Sequence, residues 1–405
     1  MLNILLISLV ILLLIPVCVL FLQVSLAVFA QPRSHSKNSQ SNHVKPTVAV
    51  IVPAHNESLG ILKTLHSITP QLKTGDRLIV VADNCTDDTA QVVRDALADM
   101  SLTLDAFVEI MERFNDSQRG KGYALDCGVQ QCRAAPPDVV IIIDADCVAG
   151  KGLIQSLAAR CVDTQKPIQS RNLMRASKEA SLKIKVAEFA MRVKNRLRPL
   201  GYQRIGMPCQ LMGTGMALLW RDITNIQLAS SHIVEDLKIG LELASKQQYP
   251  QFYDDYAVFS EFPLTNAGLS EQRARWEHGH MSVILLDTPK VLMQAILQRD
   301  IKLFALALDL VIPPLALLTM LNVTAMLLTL LVCFFTGWVV ALFFALASLF
   351  LLASAILLAW WHAGRDLISL KQLIYLPLYL LLKIPLYIKF IFNRQVAWVR
   401  TRRDK

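Results

Sequence analysis

Val139-Val-Ile-Ile-Ile-Asp-Ala-Asp146 joins an unbroken apolar run to two aspartates that flank one alanine. A short run of this kind, rich in β-branched residues, is typical of a strand buried on both faces of a sheet. Two neighbouring carboxylates repel each other, and a divalent cation with oxygen ligands relieves that repulsion. The segment therefore predicts a buried strand that ends in a Mg²⁺ or Mn²⁺ site formed by Asp144 and Asp146. A solvated turn at the strand end is the alternative.

Three similar apolar runs come earlier in the chain, at residues 47–52, 77–82 and 106–110. Polar stretches long enough for helices separate them, and this alternation predicts an α/β sheet. Two of the runs end in polar clusters, Pro53-Ala-His-Asn-Glu57 and Asp83-Asn-Cys-Thr-Asp-Asp88. Ligands of open parallel sheets bind outside the carboxyl ends of the strands. We therefore expect both clusters to share one crevice with the aspartate pair.

Both ends of the chain predict membrane segments, and a hydrophobic content of 54% with a mean hydropathy of +0.42 supports them. Residues 2–30 carry no charge and exceed the roughly 20 residues that cross a bilayer core as a helix. We expect an anchor; a secretory signal peptide is the alternative, because Val28-Phe-Ala30 resembles a cleavage site. A second apolar region predicts spans at 310–335 and 338–361, with Pro313-Pro314 kinking the first span near its start.

Asp309 is the one charged residue within this second apolar region. A carboxylate at mid-bilayer costs about 2.5–3.5 kcal/mol on insertion scales. We expect Asp309 to lie at the cytoplasmic boundary of the membrane. A protein-lined path for substrate is the alternative.

The segments predict five parts of the chain. They are an anchor (1–30), a polar linker (31–46), an α/β domain ending in an interfacial segment (47–300), two spans (301–362), and an interfacial or membrane segment with a basic tail (363–405). Arg33, Lys37 and Lys45 follow the anchor, and the positive-inside rule then places the domain in the cytoplasm. If the tail is also cytoplasmic, residues 373–392 lie in the interface or re-enter instead of crossing.

The charge and the cysteines exclude several classes of partner. The net charge of +9 comes without a long Lys/Arg block, and many basic residues lie beside apolar segments. We expect these residues to meet membrane lipid headgroups, and we expect no nucleic-acid partner. The eight cysteines form no paired CxxC motifs, which argues against a zinc site or a disulfide scaffold.

Arg119-Gly-Lys-Gly-Tyr123 places Lys121 between two glycines at the predicted start of a helix. Helix starts favour anions, and glycines let a backbone approach a ligand closely. The expected partner of Lys121 is a phosphate or a nucleotide edge. A flexible loop with a solvated lysine is the alternative.

Glu235-Asp236 stands at the predicted start of an amphipathic helix. Carboxylates at helix starts stabilise the helix by roughly 0.3–1 kcal/mol, so capping is one interpretation of the pair. A carboxylate in a crevice can also accept the proton of an attacking hydroxyl. The sequence leaves both roles open.

Gln272-Arg-Ala-Arg-Trp276 precedes the segment that leads to the second apolar region. A planar Arg beside a Trp can pair with diphosphate oxygens while the indole packs against a sugar or another ring. An interfacial aromatic belt is the alternative. His278 and His280 follow closely, but without cysteines or an i,i+4 spacing they do not favour a metal site.

In chain order, these motifs resemble those of family 2 glycosyltransferases of the membrane-bound synthase type, such as poly-N-acetylglucosamine, hyaluronan and cellulose synthases. The resemblance covers about residues 48–276, and the flanking apolar segments match its layout. It implies a GT-A domain, an α/β fold that binds a nucleotide-diphosphate sugar. The implied motif residues are Asp83 for the nucleoside, Asp144 and Asp146 for metal and diphosphate, Asp236 as base beside Glu235, and Gln272, Arg275 and Trp276 of a QxxRW motif.

The same resemblance implies further binding residues. Val52-Pro-Ala-His-Asn-Glu57 looks like the opening nucleotide-binding loop, Lys121 like a uridine-side lysine, and Gly213-Thr-Gly215 like a small-residue loop near the acceptor. The implied substrate-binding set is Pro53, His55, Glu57, Asp83, Asn84, Lys121, Asp144, Gly213, Thr214, Gly215, Gln272, Arg275 and Trp276. The sequence departs from the family at Ala82-Asp-Asn-Cys-Thr86, where many relatives have a double aspartate followed by Gly and Ser, and at Val234, where Thr is frequent.

The resemblance implies an inverting transfer from a nucleotide-diphosphate sugar, expected to be a UDP-sugar, to a growing polysaccharide at the membrane. Asp236 is then the base, and Glu235 and Arg275 are further catalytic residues. A single transfer to a lipid acceptor and a non-catalytic nucleotide-binding membrane scaffold are the alternatives. The expected setting is a bacterial inner membrane, with a homo-oligomer or partner subunits among the partners.

Overall fold

The computed structural model describes residues 2–31, 45–100, 106–177, 179–263 and 266–374. The described residues fall into two compact units. The first unit comprises the described parts of Met1–Arg33, Ser177–Met207 and Glu277–Gln395, and the second comprises those of Ser34–Ala176 and Pro208–Trp276.

The strands all belong to the second unit. They are β1 (Val48–Ala54), β2 (Arg77–Asp83), β3 (Phe107–Arg113), β4 (Val139–Ile142), β5 (Val148–Ala149), β6 (Ile168–Arg175), β7 (Met216–Leu219) and β8 (Gln251–Glu261). The described strands form one sheet in the order β3-β2-β1-β4-β7-β6-β8-β5. The first four strands are parallel, whereas β7 is antiparallel to β4. The four strands expected from the sequence are confirmed to within three residues at each end.

The helices extend over both units. They are α1 (Leu2–Phe29), α2 (Ile61–Ile68), α3 (Thr89–Met100), α4 (Lys121–Cys132), α5 (Leu153–Thr164), α6 (Leu182–Arg192), α7 (Arg198–Ile205), α8 (Trp220–Ile223), α9 (Glu235–Ser245), α10 (Asn266–Leu286), α11 (Thr288–Gln298), α12 (Ile301–Leu310), α13 (Leu315–Thr336), α14 (Val340–Ala363) and α15 (Leu370–Ile374). A π-helical turn, Val193–Leu197, joins α6 to α7.

The central strand β1 is buried on both faces of the sheet. On one face Val50 belongs to a cluster that includes Leu65 of α2 and Leu157 of α5. On the other face Ile51 belongs to a cluster that includes Leu125 of α4. Helices thus cover both faces of the sheet, as parallel strands require, and the carboxyl ends of β1, β2 and β4 are brought to one edge.

In the first unit, three of the described helices are long and apolar enough to cross a membrane: Asn3–Phe29, Leu315–Thr336 and Val340–Ala363. Helix α1 packs against α14, and α13 also packs against α14. Val10 of α1 lies in a buried cluster with Ala325 and Ala345. The two later helices begin two to five residues after the spans expected from the sequence.

Pro313 and Pro314 break the helix that was expected to be kinked. Helix α12 ends at Leu310 and α13 begins at Leu315, so the two prolines lie in the connection between separate helices. Proline lacks the N–H that a helix requires, and it also moves the residue before it out of the helical region. Two consecutive prolines therefore end the helix instead of bending it.

Asp309 has a charged partner that the sequence did not reveal. Its carboxylate is buried and receives hydrogen bonds from Arg198 of α7 and from Gln23 of α1, both at 2.7 Å. The ion pair neutralises the carboxylate within the first unit. The pairing accounts for a charged residue in this apolar region, and the expected position at the cytoplasmic boundary stays a prediction.

Parts of the expected organisation lie outside the described residues. They include residues 32–44 of the linker, with Arg33 and Lys37, and residues 375–405, which hold most of the apolar segment 373–392 and the basic tail.

Candidate active site

The aspartate pair begins two residues after β4, at the edge of the sheet where β1 and β2 also end. The Asp144 N–H donates to Thr214 Oγ1 at 3.1 Å. The ammonium of Lys121, the first residue of α4, lies 2.6 Å from Asp144 Oδ1 and donates to the Gly213 carbonyl at 2.7 Å. The strand end, the start of α4 and the Gly213–Thr214 loop therefore meet at one point.

The acidic pair at the start of α9 meets the same lysine. Lys121 Nζ is 3.5 Å from Glu235 Oε1. A Cβ placed on Gly213 would lie 3.3 Å from Asp236 Oδ2 and 3.9 Å from Asp144 Oδ2, so these two carboxylates flank Gly213. We call Lys121, Asp144, Gly213, Glu235 and Asp236 the Lys121 cluster.

Burial and mutual charge shift the pKa values within the Lys121 cluster. Burial alone would lower the pKa of Lys121, but the carboxylates of Asp144 and Glu235 outweigh it and raise that pKa. Burial raises the pKa of Glu235 to about 7 against the opposing effect of Lys121. Burial likewise raises the pKa of Asp144, which Lys121 again opposes. The cluster thus contains a permanently charged ammonium and a carboxyl group that titrates near neutral pH.

The two glycines beside Lys121 serve the packing of the chain. Gly120, which precedes α4, has a φ of 129°, a conformation that side chains rarely adopt. A Cβ on Gly122 would lie only 2.4 Å from the Leu228 carbonyl oxygen. The chain segment at Leu228, seven residues before Glu235, therefore approaches Gly122 closely, and the expected approach of these glycines to a ligand stays a prediction.

Three potential metal ligands lie together at the end of β4. One ligand atom from each of Asp144, Asp146 and Cys147 falls within 4.8 Å of the others. The carboxylates of Asp144, Glu235 and Asp236 act on the ammonium of Lys121, and Asp146 adds its charge beside Asp144. Because the excess charge is negative and the carboxylates are oxygen donors, this donor set fits Mg²⁺ or Mn²⁺.

Asp83 is buried at the end of β2 and is held by an arginine that the sequence analysis missed. Its Oδ1 accepts hydrogen bonds from Arg113 Nη1 at 2.6 Å and from Asn84 Nδ2 at 3.0 Å. Arg113 ends β3 directly opposite Asp83, and its guanidinium lies 5.4 Å from the centre of the Tyr123 ring. The sequence feature that could have identified Arg113 as a partner of Asp83 is its position at the end of the neighbouring parallel strand.

The loop after β1 lies against the end of β2. His55 Nδ1 is 2.7 Å from the Asp83 carbonyl oxygen, and the Glu57 N–H donates to Thr89 Oγ1 at 2.8 Å. Pro53 pairs with Val81 in the sheet. The residues expected to begin the nucleotide-binding loop are thus brought together with Asp83.

The Gly213-Thr-Gly215 segment supports the aspartate pair from the side of β7. Gly213 and Gly215 have φ values of 84° and 64°. A Cβ on Gly215 would meet Ser170 Oγ at 2.1 Å, so no side chain fits there. Thr214 is buried, and its hydroxyl accepts the hydrogen bond from Asp144 described above.

The QxxRW residues lie on α10. Gln272 is buried, and its Oε1 accepts no hydrogen bond from the part of the chain that the structure describes. Arg275 and Trp276 are half-buried on the same helix. Their relation to the Lys121 cluster continues to rest on the sequence resemblance.

Residues 46–279, more than half of the chain, match the sequence profile of the family described as glycosyltransferase like family 2. The chain belongs to this family. The match contains every residue expected for the site and confirms the resemblance to family 2 glycosyltransferases. Residues 46–279 therefore form a family 2 glycosyltransferase domain.

A bacterial relative of the family 2 domain is "Probable glycosyltransferase YdaM" of Bacillus subtilis (strain 168). It is 26% identical over 261 residues, which are 59% of this chain and 56% of the relative. The chain thus spans about half the length of that curated relative.

A solved structure of similar fold is the mannosyltransferase PcManGT from Pyrobaculum calidifontis, determined in complex with GDP-Man and Mn²⁺. It superimposes with a TM-score of 0.57 at 17% identity, covering 96% of this chain and 100% of the other. At this identity the likeness concerns the fold alone, and it confirms the expected GT-A type of α/β fold.

Proposed function

We propose that this family 2 protein transfers a sugar, with inversion, from a nucleotide-diphosphate sugar to an acceptor hydroxyl, with the help of Mg²⁺ or Mn²⁺. The observation that carries the proposal is the position of Lys121 Nζ, 2.6 Å from Asp144 and 3.5 Å from Glu235. It unites the carboxylates that would hold the cation with the acidic pair that would supply the base.

One set of site residues would act on the leaving nucleoside diphosphate, and another set would act on the acceptor hydroxyl. Asp144 and Asp146 would hold the cation, which neutralises charge on the departing nucleoside diphosphate. Lys121 and Arg275 would add fixed positive charge there, and such preorganised charge is typically the largest contribution to catalysis. All of these groups act on the leaving group.

The acceptor end of the reaction needs a base. Asp236 Oδ1 accepts a hydrogen bond from the Leu237 N–H, whereas Oδ2 is the oxygen near Gly213. We therefore assign the acceptor's proton to Asp236 Oδ2. Glu235, with its raised pKa, would keep a second proton within the Lys121 cluster near neutral pH.

The donor's nucleoside would bind where β1 and β2 end. Asp83, held by Arg113, would accept a hydrogen bond from the nucleobase. Pro53, His55, Glu57 and Asn84 would form the surrounding loop. A UDP-sugar is the proposed donor. Gly213, Thr214, Gly215, Gln272 and Trp276 would line the acceptor side.

Two acceptors are proposed, and one structural observation separates them. A growing polysaccharide is the acceptor implied by the synthase motifs. The described residues contain three helices long enough to span a membrane, so a polysaccharide channel would need a second copy, partner subunits or a contribution from residues 373–392. This favours the second candidate, a single transfer to a lipid acceptor that reaches the site from the bilayer.

Product analysis tests both the reaction and the acceptor. Membranes containing the full chain would be incubated with a panel of radiolabelled nucleotide sugars, with Asp146→Asn as the matched inactive variant. Long chains at early times beside unused acceptor would support a polysaccharide synthase, and singly extended lipid would support lipid transfer. If no sugar is incorporated although nucleotide still binds, the protein is a scaffold and the proposal fails. Full turnover in the presence of EDTA would show that the reaction needs no divalent cation, and the metal would then be dropped from the proposed mechanism.

The orientation proposed from the sequence places the glycosyltransferase domain in the cytoplasm of a bacterium, bounded by inner-membrane spans. Nucleotide sugars are made on that side of the membrane. Protease treatment of inside-out vesicles tests the orientation. Cleavage within residues 50–270 is expected, and protection of these residues would reverse the assignment.

A further inference from the structure

Cys147 directly follows the aspartate pair and is turned toward it. Its S–H donates a hydrogen bond to Asp146 Oδ1 at 3.4 Å, and its N–H donates to the Asp144 carbonyl at 3.0 Å. The residue is only 3% exposed. Its sulfur lies within 4.8 Å of a carboxylate oxygen from each aspartate.

These separations are close to those of ligands that share one ion. Metal–oxygen and metal–sulfur bonds of about 2.0–2.3 Å place two ligands of the same ion up to about 4.6 Å apart. The three atoms, within 4.8 Å of one another, lie near this limit, and side-chain rotation would have to bring them onto a common cation. The other described cysteines form no such group of three with acidic or histidine side chains.

The sulfur changes which cations the site prefers. Carboxylate oxygens select hard ions such as Mg²⁺ and Mn²⁺, whereas a thiolate selects Zn²⁺ and other thiophilic ions. A set of two carboxylates and one thiolate serves both classes, with the hard ion using the oxygens and the soft ion using the sulfur as well.

We propose that Cys147 is a third ligand that gives the aspartate pair a site for thiophilic divalent cations, Zn²⁺ or Cd²⁺, which compete with the hard cation of the transfer reaction. The placement of the hard cation rests on the proposed function. On binding, the S–H bond breaks and a metal–sulfur bond forms, and the proton leaves through Asp146 Oδ1, its hydrogen-bond acceptor, to solvent. No group is oxidised or reduced.

Cadmium titration reports the metal–sulfur bond directly. The full chain, purified in detergent and freed of metal, would be titrated with Cd²⁺ while the ultraviolet Cd–thiolate charge-transfer band is recorded. Cys147→Ser is the test variant. Cys161→Ser is the matched control, because Cys161 is an equally buried thiol that donates to the carbonyls of Lys166 and Ala217 instead. Binding of Mn²⁺, followed by electron paramagnetic resonance, shows whether each variant keeps the folded aspartate pair.

We expect one equivalent of the Cd²⁺ band to disappear in Cys147→Ser and to persist in Cys161→Ser, while both variants bind Mn²⁺ within about twofold of the unsubstituted chain. We also expect the Cd²⁺ concentration that displaces half of the Mn²⁺ to rise at least about 10-fold in Cys147→Ser. An unchanged band or an unchanged displacement in Cys147→Ser would overturn the proposal. If the unsubstituted chain binds no Mn²⁺, the metal assignment of the proposed function fails, and the loss or persistence of the Cd²⁺ band still decides the role of Cys147.

Discussion

Arg198 Nη2 donates to two oxygens of Asp309, the carboxylate Oδ1 at 2.7 Å and the residue's own main-chain carbonyl at 2.6 Å. The same carboxylate oxygen accepts from Gln23 Nε2 at 2.7 Å. All three side chains are buried, so the network joins α1, α7 and α12 through one neutral ion pair within the first unit. Removing one member leaves the other charge buried without its partner.

Loss of this partner should be costly to stability. We expect Arg198→Met to destabilise the protein by about 3–5 kcal/mol, because the charge of Asp309 then stays buried and uncompensated. The double variant Arg198→Met/Asp309→Leu should recover much of that loss. Thermal unfolding in detergent measures both effects. Asp366→Asn is the control: Asp366 is 60% exposed in its pair with Arg192, so its removal should cost no more than about 1 kcal/mol. Equal effects of the buried and the exposed substitution would contradict the prediction.

Asp236→Asn should separate catalysis from folding. Asparagine matches aspartate in shape and keeps the Oδ1 that accepts from the Leu237 N–H, so the start of α9, whose N-cap is Val234, should remain intact. Asparagine cannot accept the acceptor's proton, and transfer should fall at least about 10²-fold, the lower end of general-base contributions. The measurement is the initial transfer rate beside nucleotide binding, which should stay unchanged. Near-normal transfer by this variant would place the base on another residue.

Glu235 should make stability depend on pH near neutrality. Its pKa is raised from 4.5 to about 7, so the folded protein binds the proton more tightly than the unfolded chain does. The resulting stabilisation is fully present at pH values below 4.5, the pKa of Glu235 in the unfolded chain, and it is lost as the pH rises through about 7. Glu235→Gln keeps the uncharged form. Its stability relative to the unsubstituted chain should therefore increase by on the order of 1–3 kcal/mol between about pH 5 and about pH 8.

Thermal unfolding at several pH values tests the Glu235 prediction. Glu242→Gln is a matched control on the same helix, because Glu242 is one-third exposed and pairs with Lys246 at the surface. A flat pH profile for Glu235→Gln would show that Glu235 does not hold the proton.

Arg113→Lys should weaken binding of the donor. Arg113 reaches Asp83 and, at the same time, the carbonyl and side-chain oxygens of Gln118. Lysine keeps the charge but lacks the planar fork that makes these contacts together. We expect about a 10-fold loss of nucleotide affinity with little change in kcat, since one charged hydrogen bond contributes about 1.5–3 kcal/mol.

Isothermal titration with the nucleoside diphosphate, together with transfer kinetics, measures the effect of Arg113→Lys. Arg77→Lys is the control, since Arg77 starts β2 and donates to the carbonyls of Gln131 and Ala135, far along the strand from Asp83. Equal losses of affinity in both variants would indicate a general effect on the sheet.

The elements predicted best were those formed by continuous apolar runs, because such runs have few stable conformations available to them. The apolar runs of β1, β2 and β4 and of α1, α13 and α14 cannot remain in water, and their lengths separate strands from spans. The strands β5, β6, β7 and β8 were missed; β8, for example, carries Asp254, Asp255 and Glu261 and has no continuous apolar run. Strand β8 is held in the sheet by its pairing with β6, and its own side-chain pattern does not predict that pairing.

The strands β1 to β4, the apolar helices and the order of motifs that defines the family could all be predicted from the sequence, because each depends on neighbouring residues. The packing of the folded chain was needed to show that Lys121 joins Asp144 to Glu235, that Arg113 holds Asp83 and that Arg198 neutralises Asp309. Each of these pairs joins residues from different elements. Such contacts depend on how the sheet and the helices pack, and the pattern of side chains along the chain does not specify that packing.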